Sequence, residues 1–377
     1  MKIVRIVHTA DLHLGSFFGS TPEIADRRAA EQLDTLRAIT NLVLEREADA
    51  LLICGDLFDA PQAPPQLLRE VQDILGECPV DIFITPGNHD PATPDSCYFD
   101  ENWPDNVHIF TGELEKLELS GKGAYIWGCG FRRSAEENSI LPDFAAPDES
   151  SINILMMHAE LVSGEDSQSR YNPITIERIN SLGMDYVALG HAHTASLTRS
   201  GDLVCCIPGC PSGRGFDELG DKGAYAGHVG KRFAHVEFVP LGARRYRTGR
   251  INVSGCSVVS EFCAKIFSSL ERLLGNDYSD DIFDITLTGA LPRGVMPDTA
   301  AITRQLMERL HYARVSDMTT TELDISTLMN DHSLRGAFVR TVLGKIDKDE
   351  PGRDQYLRAL LYGLRAFDGE VRINEDN

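Results

Sequence analysis

Five short polar clusters in the first half of the sequence contain residue types that bind metal ions. Each is rich in His, Asp or Asn, and each directly follows a run of apolar residues. Taken singly, a histidine at the end of a strand is more often a structural residue than a ligand. Five such clusters in one part of the chain predict instead a common site. The clusters are Asp11-Leu12-His13, Gly55-Asp56-Leu57-Phe58-Asp59, Gly87-Asn88-His89-Asp90, His158-Ala159-Glu160 and Gly190-His191-Ala192-His193.

The residue types and spacing of these clusters suit a pair of metal ions. In extended backbone, Asp11 and His13, or His191 and His193, point to the same side about 6–7 Å apart. Carboxylate, amide oxygen and neutral imidazole together favour manganese, iron or zinc over calcium. Two such ions about 3.5–4 Å apart clamp a phosphate and turn water into hydroxide for in-line attack on phosphorus. One carboxylate must bridge the ions, and Asp56 is placed to do so.

Each cluster follows a short apolar run that predicts a buried β-strand. The runs are continuous rather than alternating, which is typical of strands covered on both faces. Predicted helices separate the first three strands, and this order indicates an α/β layered domain whose ligands gather at the carboxyl ends of the strands. The predicted strands cover residues 3–7, 50–53, 80–84, 152–157 and 186–189, and the helices cover 24–48 and 65–75.

The pattern changes after about residue 250, which indicates a second region. We predict an α/β domain over 1–250, a helical linker over 251–280 and a smaller α+β domain over 281–377. The apolar residues of the last two predicted helices either form a docking surface or pack against the chain's own core. The predicted elements are helices over 257–274, 299–312, 334–346 and 355–367 and a strand over 282–288.

The charge balance of the chain argues against independent binding to nucleic acid. The sequence has 57 Asp and Glu against 36 Lys and Arg, a net charge of −21. Nonspecific affinity for nucleic acid comes mainly from basic groups that displace counterions. Arg244, Arg245 and Arg247 form the best candidate for a nucleic-acid contact, although such segments are usually solvated turns. Arg214, in a glycine-rich loop, could reach a substrate or form a structural ion pair.

The composition favours a cytoplasmic protein with reduced cysteines. The nine cysteines are scattered without C-x-x-C spacing. The first residues lack a signal-peptide pattern, and no apolar run is long enough to cross a bilayer. Cys205, Cys206 and Cys210 could hold a soft metal, but a buried strand followed by a turn is the favoured interpretation.

In their order along the chain, the five clusters resemble the motifs of the calcineurin-like metallophosphoesterase superfamily. Thr9-Ala10-Asp11-Leu12-His13-Leu14-Gly15 and the cluster around Asp56 are similar to its SbcD-type branch of DNA-repair exonucleases. Pro208-Gly209, followed by Gly213-Arg214-Gly215-Phe216-Asp217-Glu218-Leu219-Gly220, resembles the YhaO-like subgroup of that branch. The resemblance covers about residues 1–240. It continues weakly in 282–292, which is similar to the first strand of the branch's capping domain.

The resemblance implies a role for each polar residue of the clusters. His89 would stabilise the phosphate and protonate the leaving oxygen, which suits an imidazole whose pKa lies near the working pH. Asp59 would orient His89. Asp90 would hold a ligand in place through a hydrogen bond, or would only stabilise its own turn. The first metal ion would be bound by Asp11, His13, Asp56 and His193, and the second by Asp56, Asn88, His158 and His191.

The function implied is that of a nuclease that hydrolyses DNA phosphodiesters by a two-metal hydroxide mechanism. The two divalent metal ions would be manganese, with iron or zinc as alternatives. The family pairs such a chain with an SbcC-type coiled-coil ATPase, which would supply grip on DNA, and family habit suggests a homodimer. One alternative is a phosphodiesterase acting on a small molecule such as a cyclic nucleotide. A phosphoprotein phosphatase is disfavoured because Ala60-Pro61 replaces the expected Arg-Gly. Another alternative is a non-catalytic metal-binding scaffold, which would be expected to lack at least one ligand.

Overall fold

A computed structural model describes residues 2–144, 150–164, 169–322, 325–346 and 352–367. The strands, numbered β1 to β19 in chain order, are Ile3–Thr9, Ala50–Cys54, Asp81–Thr85, Val107–Ile109, Glu115–Leu119, Ala124–Cys129, Ile152–His158, Leu161–Val162, Ile174–Thr175, Tyr186–Gly190, Ser196–Ser200, Leu203–Ile207, Gly223–Gly230, Phe233–Pro240, Tyr246–Asn252, Ile282–Thr288, Ala290–Leu291, Tyr312–Asp317 and Thr320–Thr321. The α-helices, numbered α1 to α8, are Ala25–Glu45, Pro65–Gly76, Ile176–Ser181, Val259–Leu274, Thr299–Leu306, Ile325–Asn330, Leu334–Ile346 and Arg353–Phe367.

Two six-stranded sheets form the main body of the fold. The first has the order β14-β13-β1-β2-β3-β4, in which β1 to β4 run parallel and β13 and β14 are antiparallel to their neighbours. The second has the order β11-β12-β10-β7-β6-β5, with β12, β10, β7 and β6 parallel. The carboxyl ends of adjacent parallel strands therefore meet at one edge of each sheet.

The apolar core explains why the strands before the polar clusters are uniformly apolar. Side chains such as Ile6, Leu52 and Ile154 come from both sheets and pack into one buried cluster between them. The opposite face of the first sheet is covered by α1 and α2 through residues such as Ile39 and Val71. Because every face of these strands is covered, alternation of polar and apolar residues is not needed. The predicted α/β layered fold is confirmed.

Most predicted elements agree with the structure to within a few residues, but the helix predicted over 299–312 is wrong in its second half. α5 ends at Leu306, and the chain enters β18 at Tyr312. Leu310 and Tyr312 are both buried, and the Tyr312 hydroxyl donates a hydrogen bond to Glu23 at 3.0 Å. These tertiary contacts outweigh the helical spacing of the apolar residues.

The cysteine-rich segment forms a strand, as the favoured interpretation predicted. Cys205 and Cys206 lie in β12, and all nine cysteines are buried thiols. Burial raises the pKa of the Cys210 thiol well above its usual value. These thiols therefore behave as small core residues.

By its internal contacts the chain divides into two compact units. The first contains Met1–Gly249, Glu271–Ile285 and Thr303–Arg314, and the second contains Arg250–Leu270, Thr286–Ile302 and Val315–Asn377. The predicted domain limits at residues 250 and 280 stay a prediction. Within the second unit, α7 and α8 pack on each other through Val342 and Leu360, whereas Leu361 is half exposed. Every helix in the described ranges is too short or too polar to span a lipid bilayer.

A substitution at Gly190 tests how closely the two sheets approach. A Cβ on Gly190 would lie 1.9 Å from the backbone oxygen of Cys54 and 2.9 Å from the Cβ of Ala10. We expect Gly190→Ala to lower the free energy of unfolding by about 1–3 kcal/mol, because neither backbone nor Ala10 can move aside. Urea denaturation measures this. Gly249→Ala is the control, because nothing lies within 4 Å of its added Cβ. Equal effects of both substitutions would contradict the prediction.

Candidate metal centre

The seven predicted metal ligands lie together at the carboxyl ends of five parallel strands. The registers that pair Ile53 with Thr9, and Gly190 with His158, bring these ends level within each sheet. Since the two sheets pack face to face, their loops converge at one edge. The ligands are Asp11 and His13 after β1, Asp56 after β2, Asn88 after β3, His158 at the end of β7, and His191 and His193 after β10.

The backbone at this edge is strained. Asp11, His13, Asp56 and His191 all have positive φ angles, of 55°, 48°, 50° and 99°. Such conformations cost non-glycine residues of the order of 1 kcal/mol or more and cluster at functional sites. Backbone hydrogen bonds hold them in place, from the His13 amide to the Asp56 carbonyl at 2.9 Å and from the Asp11 amide to Gly55 at 3.0 Å. The fold therefore imposes the directions of these side chains.

Asp11, His13 and His193 form the first group of candidate ligands. The Nε2 atoms of His13 and His193 lie 3.3 Å apart, and His193 Nε2 lies 3.9 Å from an Asp11 oxygen. The Nδ1 atoms of both imidazoles contact carboxylates instead, Asp59 at 3.0 Å and Glu218 at 2.7 Å. When each Nδ1 carries the proton, both Nε2 lone pairs face the same point, which is the arrangement that a cation satisfies.

Asn88, His158 and His191 form the second group. The Asn88 Oδ1 atom lies 2.9 Å from His158 Nε2 and 3.2 Å from His191 Nδ1. His158 Nδ1 lies 2.9 Å from the Cys54 carbonyl oxygen, so this nitrogen is the donor and Nε2 is left as an acceptor. The amide oxygen and the imidazole lone pair then face one another, and a cation between them would remove the repulsion.

Asp56 lies between the two groups. Its Oδ2 atom is 3.6 Å from His13 Nε2 and 3.4 Å from His158 Nε2, while Oδ1 accepts a hydrogen bond from the His89 amide at 2.9 Å. The residue is 1% exposed. Burial opposes ionisation, but the neighbouring imidazoles, His158 first, hold the pKa of Asp56 below its usual value. One carboxylate oxygen is thus within reach of both candidate cation positions.

The electrostatics of the cluster also fit divalent cations. Burial, and then the negative charge of Asp56, raise the pKa of Asp11 well above its usual value, so the Asp11 carboxylate lacks sufficient positive charge nearby. Burial lowers the pKa of His13 and of His191 to about 4, and it also lowers the pKa of His158. Imidazoles that are neutral at pH 7 can bind metal, and the charge of a cation would compensate the buried Asp11 carboxylate.

His89 and Asp59 are adjacent, as expected, but Asp59 has a second contact. Its Oδ1 lies 3.4 Å from His89 Nδ1 and 3.0 Å from His13 Nδ1. The interaction with Asp59 raises the pKa of His89. Although burial opposes it, hydrogen bonds to His13 and His89 keep the pKa of Asp59 well below its usual range. Asp59 is therefore placed to orient a candidate ligand as well as the candidate acid.

Asp90 contacts the backbone of the ligand loops rather than a ligand side chain. Its fully buried carboxylate accepts hydrogen bonds from the amides of Asp56 at 3.2 Å, Phe58 at 2.9 Å and Gly87 at 2.7 Å. The Tyr98 hydroxyl donates a fourth at 2.5 Å. Asp90 thus stabilises its own turn and also fixes the backbone position of Asp56.

Glu218 is the residue that sequence reasoning missed. It is 5% exposed, and its Oε1 atom lies 2.7 Å from His193 Nδ1. Burial opposes its ionisation, but hydrogen bonds from His193 and Arg214 hold the pKa of Glu218 well below its usual range. The residue stands in the glycine-rich segment that carried the subgroup resemblance. No short spacing linked it to His193, which precedes it by 25 positions.

The four arginines proposed as substrate contacts are all paired with carboxylates of the chain itself. Such pairs reduce the positive charge available to a substrate, and substrate contact by these arginines stays a prediction. The closest pairs are Arg214 with Glu218 at 2.7 Å, Arg244 with Glu31 at 2.7 Å, Arg245 with Asp221 at 2.6 Å and Arg247 with Asp281 at 2.5 Å.

Comparison with known sequences adds a family match. The model of the calcineurin-like phosphoesterase family matches residues 4–195, which include the seven candidate ligands. The chain is also 30% identical over 246 residues to "Uncharacterized metallophosphoesterase YhaO" of Bacillus subtilis (strain 168). That match covers 62% of this chain and 60% of the relative, so the chain spans less than two thirds of the relative's length.

Solved structures with a similar arrangement have little sequence identity to this chain. A dimetal phosphatase from Danio rerio is 10% identical, with a TM-score of 0.42, over 63% of this chain and 99% of the other. The calcineurin-like phosphoesterase YfkN from Bacillus subtilis is 14% identical, with a TM-score of 0.37, over 63% of this chain and 91% of the other.

Asp56→Ala tests whether one carboxylate serves both metal positions. We expect the substitution to reduce bound manganese from about two ions per chain to one or none, because it removes the ligand that two sites share. Metal analysis after gel filtration measures the ratio. Asp95→Ala is the control, since Asp95 is exposed and its carboxylate accepts hydrogen bonds from Thr93 and Gln62, outside the ligand groups. Two ions retained in Asp56→Ala would show that Asp56 is not the bridge.

Proposed function

Because this chain belongs to the calcineurin-like phosphoesterase family, we propose that it is a metal-dependent phosphodiesterase and that its substrate is DNA. The hydrolytic activity is inferred mainly from the position of Asp56. Its Oδ2 lies 3.6 Å from an imidazole nitrogen of the first ligand group and 3.4 Å from one of the second. Such a shared carboxylate is what a pair of cations requires.

The cations proposed to bind here are two manganese ions, held by the two ligand groups. When bound, they would supply Lewis acidity for a phosphodiester and for the attacking water. The chain itself supplies a proton donor. His89 is 44% exposed at its side chain, and its hydrogen bond to Asp59 raises its pKa, which favours the protonated form. It can therefore protonate the leaving oxygen while Asp59 holds its ring.

DNA as the substrate is supported by the motif resemblance to SbcD-type exonucleases. The sequence around Asp11, the sequence around Asp56 and the glycine-rich segment 213–220 all resemble that branch. The replacement of Arg-Gly by Ala60-Pro61 after the second cluster speaks against a phosphoprotein substrate. A nuclease has to bind a polyanion, which is difficult for a chain with a net charge of −21.

An SbcC-type ATPase partner would resolve this difficulty by contributing the basic surface. We expect the isolated chain to bind duplex DNA weakly, and a stable complex with such an ATPase to restore binding and cleavage. Tight binding of duplex DNA by the isolated chain at 150 mM salt would show that no partner is needed for DNA binding.

A small phosphodiester such as a cyclic nucleotide is the second candidate substrate. It is favoured by the acidic charge and by the pairing of Arg244, Arg245 and Arg247 with carboxylates. A small substrate needs no extended basic surface.

Hydrolysis assays with manganese separate the two substrates. We expect cleavage of single-stranded or nicked DNA, with little turnover of cyclic nucleotides, because the resemblance is to nucleases. Activity on cyclic nucleotides alone would reject the nuclease. If the metal-loaded protein fails to cleave even bis-p-nitrophenyl phosphate, the chain is a non-catalytic scaffold.

His89→Ala tests the proton donor. We expect kcat on DNA to fall by about 10²- to 10⁴-fold, the usual contribution of a general acid. The loss on bis-p-nitrophenyl phosphate should be smaller, because p-nitrophenolate leaves without being protonated. Metal content should stay near two ions per chain. Equal losses on both substrates would contradict a role in protonating the leaving oxygen.

A further inference from the structure

We propose that Arg214, Glu218 and Asp59 act together as positioning residues that orient the two imidazoles of the first ligand group, His13 and His193. The inference rests on the proposed metal centre. These three charged side chains are not ligands themselves, but they set the affinity of one metal position.

Glu218 fixes which nitrogen of His193 faces the metal position. Its Oε1 lies 2.7 Å from His193 Nδ1, a distance at which this nitrogen must carry the proton and donate it. In the neutral ring Nε2 is then the acceptor, and it is the atom that lies 3.3 Å from His13 Nε2. The carboxylate therefore selects the tautomer that can bind metal and holds the ring in the plane of that hydrogen bond.

Asp59 performs the same task for the opposite imidazole. Its Oδ1 lies 3.0 Å from His13 Nδ1, so His13 also donates through Nδ1 and presents Nε2 to the metal position. Asp59 and Glu218 thus act on two rings that face each other. The two carboxylates come from segments far apart in the chain, after β2 and after β12.

Arg214 links these two carboxylates. Its Nη2 lies 2.7 Å from Glu218 Oε1, its backbone amide donates to Glu218 Oε2 at 2.7 Å, and its Nη1 lies 3.6 Å from Asp59 Oδ1. Nη2 is also 3.1 Å from His193 Nδ1. Since arginine has no acceptor, this short distance arises because both nitrogens donate to the same oxygen of Glu218. One guanidinium therefore compensates two carboxylates and fixes their separation.

The segment that carries Arg214 and Glu218 is itself anchored. Arg28, which is 1% exposed, donates to the Gly213 carbonyl at 2.8 Å and to the Ser212 hydroxyl at 3.1 Å. The buried Lys222 donates to the His193 carbonyl at 2.8 Å. These contacts hold the loop on both sides of Glu218 and attach it to the backbone of His193. The loop is built to position this imidazole.

Metal titration of Glu218→Gln tests the proposal. The substitution keeps the shape of the side chain but removes its charge. We expect one of the two manganese sites to weaken about 10- to 100-fold, as is typical when a partner of a metal-bound histidine is lost. Isothermal titration gives the two affinities. Electron paramagnetic resonance of the manganese-loaded protein should change from the signal of a coupled pair to that of a single ion.

Asp217→Asn is the matched control. Asp217 is the residue before Glu218, its side chain is exposed, and the substitution removes the same negative charge. It should bind two manganese ions as the wild-type chain does. Arg214→Gln should weaken the same site as Glu218→Gln. The double variant should lose less than the product of the two single losses, because both act through one network.

The outcomes separate this proposal from the proposed function. If the wild-type chain does not bind two manganese ions, the metal centre itself is wrong. If the wild-type chain binds two and Glu218→Gln binds both with unchanged affinity, only the positioning role is wrong. Thermal unfolding of the metal-free variants checks their folding. Should Glu218→Gln not fold, unchanged manganese affinity in Arg214→Gln would overturn the proposal.

Discussion

The central physical constraint in this molecule is the burial of two carboxylates, Asp11 and Asp56, beside each other at one edge of the fold. Neither is exposed to solvent. Burial, and then the negative charge of Asp56, raise the pKa of Asp11. A charge removed from water must be compensated, and Arg214, which already pairs with Glu218 and Asp59, has no positive charge left to compensate Asp11. Divalent cations would supply this charge, and their binding would then be thermodynamically linked to the folding of this edge.

The rest of the architecture serves to bring those groups together despite the cost. Positive φ angles at four candidate ligands are tolerated because hydrogen bonds from neighbouring loops fix the backbone. Glycines allow the close approach: a Cβ at Gly87 would lie 2.1 Å from Asp56 Oδ1, and one at Gly55 would lie 2.3 Å from His158 Nδ1. On the outer side, Gln32 of α1 donates to the His13 carbonyl at 2.8 Å, so the helix that covers the first sheet also holds the loop.

The strands that lead into the polar clusters could be predicted from local rules, whereas the assignment of the seven ligand candidates came from the motif resemblance. An uninterrupted apolar run such as 50–53 indicates a covered strand, and the polar residues after it must lie at the edge of a parallel sheet. The contacts of Glu218 and the second contact of Asp59 could not be predicted in this way. They join residues 25 and 46 positions apart through loops, whose course depends on packing rather than on periodicity. The second half of the predicted helix over 299–312 failed for the same reason.

The strand order has a consequence for how the protein is made. β1, which leads into Asp11 and His13, lies between β2 and β13. Its first residue, Ile3, pairs with Gly230 of β13. During synthesis, β1 therefore waits for more than half of the chain before its sheet is complete. The last ligand of the second group is His191 and that of the first is His193, so both groups are synthesised before β13 completes the sheet that holds β1.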